Sequence, residues 1–212
     1  MKLLKIERSA IMVKKKDLKA EIIRAALKAF AKSDYQKVST NQIVEEAKVS
    51  KGLLFHYFKS KMSLYTYLYE MAWAVVHRDI FTDFPFENRD VFERLRLMML
   101  RKTKSFHNHQ TLSAFLKQVH LSKMPEVVKL RVQTYQTFQQ KTYRRLFEKI
   151  DTTLFRDDLY IDEIYKVVTL TLNKLAHECE KQHGDKDNAE LLHILEDELN
   201  HYTVFFKHYF YG

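Results

Sequence analysis

The chain has 212 residues, with 36 Lys and Arg, 27 Asp and Glu, 3 Gly, 2 Pro and 1 Cys, and 46% of it is hydrophobic. Gly52, Gly184 and Gly212 cannot build a GxGxxG turn, a GxxxxGK[ST] phosphate loop or a GxSxG elbow, and so few turn residues exclude an all-β chain. The single Cys179 forms neither an internal disulfide nor a CxxC pair, which suits a reducing cytoplasm. The longest apolar run, Met71 to Val76, falls far short of the roughly 20 residues of a membrane span. Lys5, Glu7 and Arg8 interrupt the apolar start, so no secretory signal is expected.

Charge divides the chain. Residues 1–64 hold 15 Lys and Arg against 6 Asp and Glu, which is the whole formal net charge of +9, while 65–212 hold 21 of each. A basic module beside a neutral remainder fits a polyanion-binding head joined to a part with another task. A merely solubilising surface, or attraction to an anionic membrane, would give the same count.

The elements follow in order. Residues 1–16 form a basic arm ending in Lys14, Lys15 and Lys16. Within it, Met12-Val13 followed by lysines has the look of a translation start. Glu7-Arg8-Ser9 can be encoded by codons containing AAGGAG, so 1–11 is read either as untranslated sequence or as an arm reaching a DNA minor groove. Ile23, Ala26, Leu27 and Phe30 then set a helical stripe starting near Asp17. Ser39 stands three residues before Gln42 as a capping box for a short helix to Ala47. After Lys48-Val49-Ser50 a second short helix runs KGLLFHYF, which makes a helix-turn-helix.

A long helix is predicted from Ser60 to Phe81, another from Val91 to His107 after Pro85, and a shorter one over Leu112–Leu121. Pro125 opens a helix to about Ile150 with the stripe Val128, Tyr135, Phe138, Thr142 and Phe147. Asp157 and Asp158 are placed to cap the next, which carries Ile161, Ile164, Val168, Leu172, Leu175 and Cys179 and ends near Gly184. Asp187 or Asn188 caps the last, with Leu191, Leu195, Leu199, Tyr202, Phe206 and Tyr209. The fold class is therefore all-α with about nine helices. Residues 17–62 would be the helix-turn-helix domain and 63–212 a larger helical domain.

The string STNQIVEEAKVSKGLLFHYFKSKMSL, residues 39–64, resembles the DNA-binding region of the TetR family of bacterial transcription regulators. The likeness rests on Ser39-Thr40, Ile43, Ala47, Val49-Ser50-Lys51-Gly52, Leu54, His56-Tyr57-Phe58-Lys59-Ser60-Lys61 and Leu64. Base-edge chemistry agrees with it: Lys51 can donate to guanine O6 or N7, Leu53 can pack on a thymine methyl, and Gly52 admits the DNA backbone. The resemblance implies that Thr40, Phe55, His56, Tyr57 and Lys61 touch or flank the phosphates, and Asn41 and Ser50 are further candidate contacts. Three positions depart from the family pattern. Lys48 replaces a common turn glycine, Val44 a common alanine, and Phe55 a tyrosine whose hydroxyl would reach a phosphate.

The resemblance further implies a double-stranded DNA operator as partner and a homodimer. The dimer would pair the last two helices, with Ile164, Val168, Leu175, Leu195, Leu199, Tyr202 and Phe206 as candidate interface residues. It also implies a pocket for a small hydrophobic or amphipathic effector. Trp73, Met99, Phe115, Tyr135, Phe138 and Leu172 are candidate lining residues because they are large and apolar, although such residues at helical spacing equally make core. No cofactor, metal site or enzymatic activity is expected. His177, Glu178 and His183 lack HExxH spacing, His107 and His109 lack a third ligand, and no catalytic set is visible. A helical enzyme or carrier, or a non-specific architectural DNA-binding protein, would be the alternative readings.

Overall fold

The computed structural model describes residues 18–212, so the arm at 1–16, the two readings of 1–11 and the helix start at Asp17 lie outside the described residues. Among those described, nine α-helices account for most of the chain. They are α1 (18–32), α2 (Thr40–Glu46), α3 (Lys51–Phe58), α4 (Lys61–Phe81), α5 (Val91–Asn108), α6 (Gln110–Leu121), α7 (Pro125–Phe147), α8 (Ile161–His183) and α9 (Asn188–Phe210). One short 3-10 turn, Thr152–Leu154, and an isolated bridge between Phe155 and Tyr211 complete them.

The capping residues explain several boundaries. Ser39 accepts the Gln42 amide at 3.1 Å and Ser50 accepts the Leu53 amide at 3.2 Å, which satisfies orphan donors at the starts of α2 and α3. Asp187 accepts from Ala189 and Glu190 and so begins α9. Asp158 does not cap α8. Its carboxylate is taken by Arg156 at 2.8 Å, and the residue before α8 is Tyr160, whose side chain supplies no cap bond.

The chain packs as two compact units. The first comprises the described residues up to Ala74 together with His109–Gln136, and the second comprises Val75–Asn108 with Thr137–Gly212. Within the first unit, aromatic packing joins α6 to α1 and α4. Tyr65 meets Phe30 edge-on at 4.8 Å and Phe115 edge-on at 5.1 Å between ring centroids. Around this cluster lie Ile22, Ala26, Ile43, Leu54, Leu64 and Leu68, all inaccessible to solvent. The buried stripe of α1 is Ile22, Ala25, Ala26 and Phe30, while Ile23 and Leu27 are half-buried, a small rotation from the face expected.

In the second unit α5, α8 and α9 pack on one another. Phe92 at the start of α5 gathers Phe206, Phe210 and Tyr211 at 4.9 to 6.0 Å. Tyr211 donates to Asp90, and Lys207 pairs with both Asp90 and Glu93, closing the C-terminal end of α9 onto α5.

Candidate nucleic-acid interface

Leu54 and Phe58 are buried and hold α3 on the core of the first unit, and their spacing of four leaves the other side of the helix outward. Outward lie Lys51, Gly52 and His56, which are exposed, with Leu53, Phe55 and Tyr57 half-buried beside them. On α2 Asn41 is exposed and Thr40 half-buried, and Ser50 is exposed with its hydroxyl committed to the cap. The ten residues expected at a DNA interface thus fall on α2, α3, the turn between them and the first residue of α4.

The local geometry suits an approaching polyanion. The α3 N-terminus carries free backbone donors and the positive end of the helix dipole. A Cβ built on Gly52 would find nothing nearer than Ser50 Oγ at 4.0 Å, and Gly52 does not adopt positive φ. Neither internal packing nor backbone conformation therefore requires glycine there, and the space outside it is open. Lys48 has φ 54°, the left-handed conformation expected for the position where glycine is common, at a strain on the order of 1 kcal/mol. Lys37, Lys48, Lys51 and Lys59 are exposed and make no ion pair among the described residues, so they are available to phosphates.

Other cations of this region are used within the fold. Lys28 pairs with Glu46 at 2.7 Å, which ties α1 to the end of α2. Lys61 lies over the Tyr35 ring at 4.3 Å, and burial lowers its ammonium pKa against the opposing pull of Asp34. Periodicity gave no sign of this aromatic partner, which lies in the connection between α1 and α2.

The candidate effector residues are distributed over both units. In the first, Phe115 is fully buried in the cluster with Phe30 and Tyr65. Trp73 and Tyr135 face each other there at 5.3 Å between rings. In the second, Met99 and Leu172 are each 1% exposed, and Phe138 lies 6.2 Å from the His77 ring. His77 Nε2 and Thr142 Oγ1 are buried without a hydrogen-bond partner, a condition that a bound polar group or water relieves. Burial, then Arg145 and Lys141, lower the His77 pKa and keep it neutral near pH 7. These orphan atoms were not legible in the sequence.

Of the candidate dimer residues, Ile164, Val168, Leu195, Leu199 and Phe206 are buried within the chain itself, while Leu175 and Tyr202 are half-buried. The exposed apolar residues of these helices are Val167 and Leu170 on α8 and Val204, Phe205 and Tyr209 on α9. Because 184–187 is a short turn, α8 and α9 run back along each other and bring these residues to similar levels.

Among the described residues no group of His, Cys, Asp and Glu could hold a metal ion, and no helix is long and apolar enough to cross a membrane. Cys179 is buried, and burial raises its thiol pKa.

Residues 22–68 match the family model of the bacterial regulatory proteins, tetR family. No curated protein matches the chain. A TetR family transcriptional regulator from Chloroflexus aurantiacus J-10-fl aligns at TM-score 0.63 and 18% identity, over 93% of this chain and 94% of that one. A TetR-like transcriptional regulator from Rhodococcus sp. RHA1 aligns at TM-score 0.60 and 15% identity, over 86% and 93% respectively. A gamma-butyrolactone receptor, described as ArpA-like, aligns at TM-score 0.55 and 16% identity, over 89% of this chain and 98% of that one. Residues 22–68 thus carry the segment that the tetR family model describes, and the chain as a whole shares its fold with solved TetR family regulators.

Proposed function

We propose that the protein is a cytoplasmic, homodimeric, sequence-specific DNA-binding transcriptional regulator, a repressor that leaves a palindromic operator when a small hydrophobic or amphipathic effector binds. The observation that carries this reading is the outward N-terminal end of α3. There Lys51 and Gly52 stand exposed beside a capped turn, with nothing in the fold that requires either residue. In the proposed complex Lys51 and Leu53 read base edges in the major groove. Thr40, Asn41, Ser50, Gly52, Phe55, His56, Tyr57 and Lys61 meet or flank the sugar-phosphate backbone.

Two copies related by a two-fold axis would present two α3 helices to successive major grooves about 34 Å apart. The exposed apolar residues of α8 and α9 supply a surface for that pairing. The unpartnered His77 and Thr142 atoms favour an effector with a polar group, and a gamma-butyrolactone receptor among the similar folds supports small-molecule response. A hundredfold release of DNA requires the effector to prefer the non-binding arrangement by about 2.7 kcal/mol.

The test is selection of bound duplexes from a random library, followed by titration of the winner with wild type, Lys51→Ala and Tyr57→Ala at one stated salt concentration. A palindromic winner that both variants lose supports the reading. If no sequence is enriched over bulk DNA, the specific regulator is excluded. Sedimentation of Leu170→Glu checks the dimer, and a variant that stays dimeric removes α8 from the interface.

A further inference from the structure

The two residues that bound α3 are both lysines at positive φ. Lys48, in the turn before the helix, has φ 54°, and Lys59, which ends it, has φ 48° and ψ −40°. The backbone hydrogen bonds explain both conformations. The Lys48 amide donates to the Glu45 carbonyl at 3.1 Å and the Val49 amide to the Val44 carbonyl at 3.0 Å, the paired bonds of a Schellman motif, which puts its left-handed residue at Lys48. At the other end the Lys59 amide donates to the Phe55 carbonyl at 3.0 Å, and the Ser60 amide reaches back to the Phe58 carbonyl, closing a three-residue turn about Lys59. Glycine takes such conformations freely and lysine does not, so each position carries backbone strain that glycine would remove.

Neither side chain offsets that strain within the chain. Both are exposed, and among the described residues neither makes an ion pair, a side-chain hydrogen bond or a contact with a ring face. Glu46, at the end of α2, is taken by Lys28 at 2.7 Å. From Ala47 to Tyr69 the chain holds four lysines, at 48, 51, 59 and 61, and no acidic residue. Lys61 lies over the Tyr35 ring, which leaves Lys48 and Lys59 as free charges on either side of Lys51. An eight-residue helix is about 12 Å long, and the major groove of B-DNA is about 12 Å wide. With α3 seated in that groove, residues just beyond its two ends stand near the phosphates that border it.

We propose that Lys48 and Lys59 hold the DNA phosphates bordering the major groove at the two ends of α3, which is why lysine stands at two positions whose backbone favours glycine. Such contacts fix the helix in the groove and carry no base information. The inference rests on the DNA-binding reading above and deepens it with two contact residues outside those named there.

Full-length Lys48→Gly, Lys59→Gly and the double variant are titrated against two duplexes, the one selected from the random library and a scrambled sequence of the same length, between about 50 and 200 mM salt. Each glycine is expected to lower the slope of log affinity against log salt by about 0.9, and the pair by about 1.8. Affinity for both duplexes should fall by the same factor, about fivefold or more per lysine at the low-salt end. Melting temperatures are expected to stay level or rise, since glycine removes the strain together with the charge. Lys48→Arg and Lys59→Arg should keep the wild-type slope.

Unchanged affinity and slope in the double variant overturn the proposal and leave both lysines as solvated surface. A loss of affinity at unchanged slope overturns it too, because the effect then comes from a loosened turn and not from charge, and so does a loss confined to the selected duplex. If a glycine variant melts below wild type, Lys48→Asn and Lys59→Asn repeat the titration with a side chain that tolerates the left-handed region. A wild type that selects no sequence, yet loses the same slope on the scrambled duplex in the double variant, removes the specific regulator and keeps these contacts. A selected operator bound equally well by the double variant keeps the regulator and removes them.

Discussion

The ammonium of Lys61 sits 4.3 Å above the ring of Tyr35, and Tyr35 in turn meets Tyr65 at 4.9 Å between centroids. A cation from the first turn of α4 is thus built into the aromatic core of the first unit. Lys61→Gln is expected to cost about 1 kcal/mol, lowering the melting temperature by about 2–4 °C. Lys51→Gln should leave the melting temperature unchanged and reduce the slope of log affinity against log salt by about one. Calorimetry paired with a salt titration separates the two. An unchanged melting temperature for Lys61→Gln would place that charge wholly at the DNA.

Gly52→Ala makes a contrasting test. The position is inside α3, φ is not positive and the space is open, so alanine should keep the fold and raise helix stability by up to about 1 kcal/mol. Affinity for the selected operator should fall by about tenfold or more, because the methyl occupies the approach of the DNA backbone. Thermal melts and operator titration measure both; full affinity in the variant would remove α3's N-terminal end from the contact.

Arg94 is 1% exposed and donates to the carbonyls of Phe86, Asn88, Leu146 and Glu148 at 2.5 to 2.8 Å. The guanidinium thereby joins the connection before α5 to the end of α7. Arg94→Leu leaves those carbonyls without their donor and should cost at least about 3 kcal/mol in urea unfolding. Arg94→Lys should recover little of it, since one ammonium cannot span the fork.

Acid should weaken the closure of α9 onto α5. Burial acts to raise the Asp90 and Glu93 pKa values, but the bonds from Lys207, with Tyr211 on Asp90 and Arg96 on Glu93, outweigh it and both end below their ordinary values. The unfolded chain therefore binds more protons in this range, so these groups contribute full stability above the ordinary carboxylate values and lose it as pH falls through the depressed ones. Asp90→Asn should lower the melting temperature at pH 7 and flatten its decline below about pH 4. A parallel acid profile for wild type and variant would deny Asp90 this role.

For Lys102 the sign is opposite. Its pKa is depressed to about 8 from 10.5, so the folded state is penalised below pH 8 and stability rises between those two values as the unfolded chain alone keeps the proton. Lys102→Met should raise the melting temperature at pH 7, by about 2–4 °C for each kcal/mol relieved. Melting temperatures across the alkaline range check this, and a variant less stable than wild type would show that Lys102 is a structural cation.

The helices and most of their starts were legible before any coordinates, since caps such as Ser39 and Asp187 act within three residues of themselves. Apolar stripes were legible too, and Val168, Leu172, Leu195 and Leu199 are buried as their spacing requires. What periodicity cannot give is the identity of whatever covers a stripe. Leu195 and Leu199 are buried by their own chain, while Val204 and Phe205, off the main stripe, stay exposed. Phe115 shows the same limit, because a large apolar residue looks alike whether it fills a core or walls a pocket.

The sequence by itself determined the all-α class, the concentration of positive charge in the first third and the helix-turn-helix with Lys51 and Gly52 at the start of its second helix, because charge, caps and turn length are local properties. Only the tertiary structure decided that Lys61 stacks on Tyr35, that four carbonyls converge on Arg94 and that Lys102 stands without an acid. Each of those depends on side chains far apart in the sequence and brought together by packing, and no spacing rule extends that far.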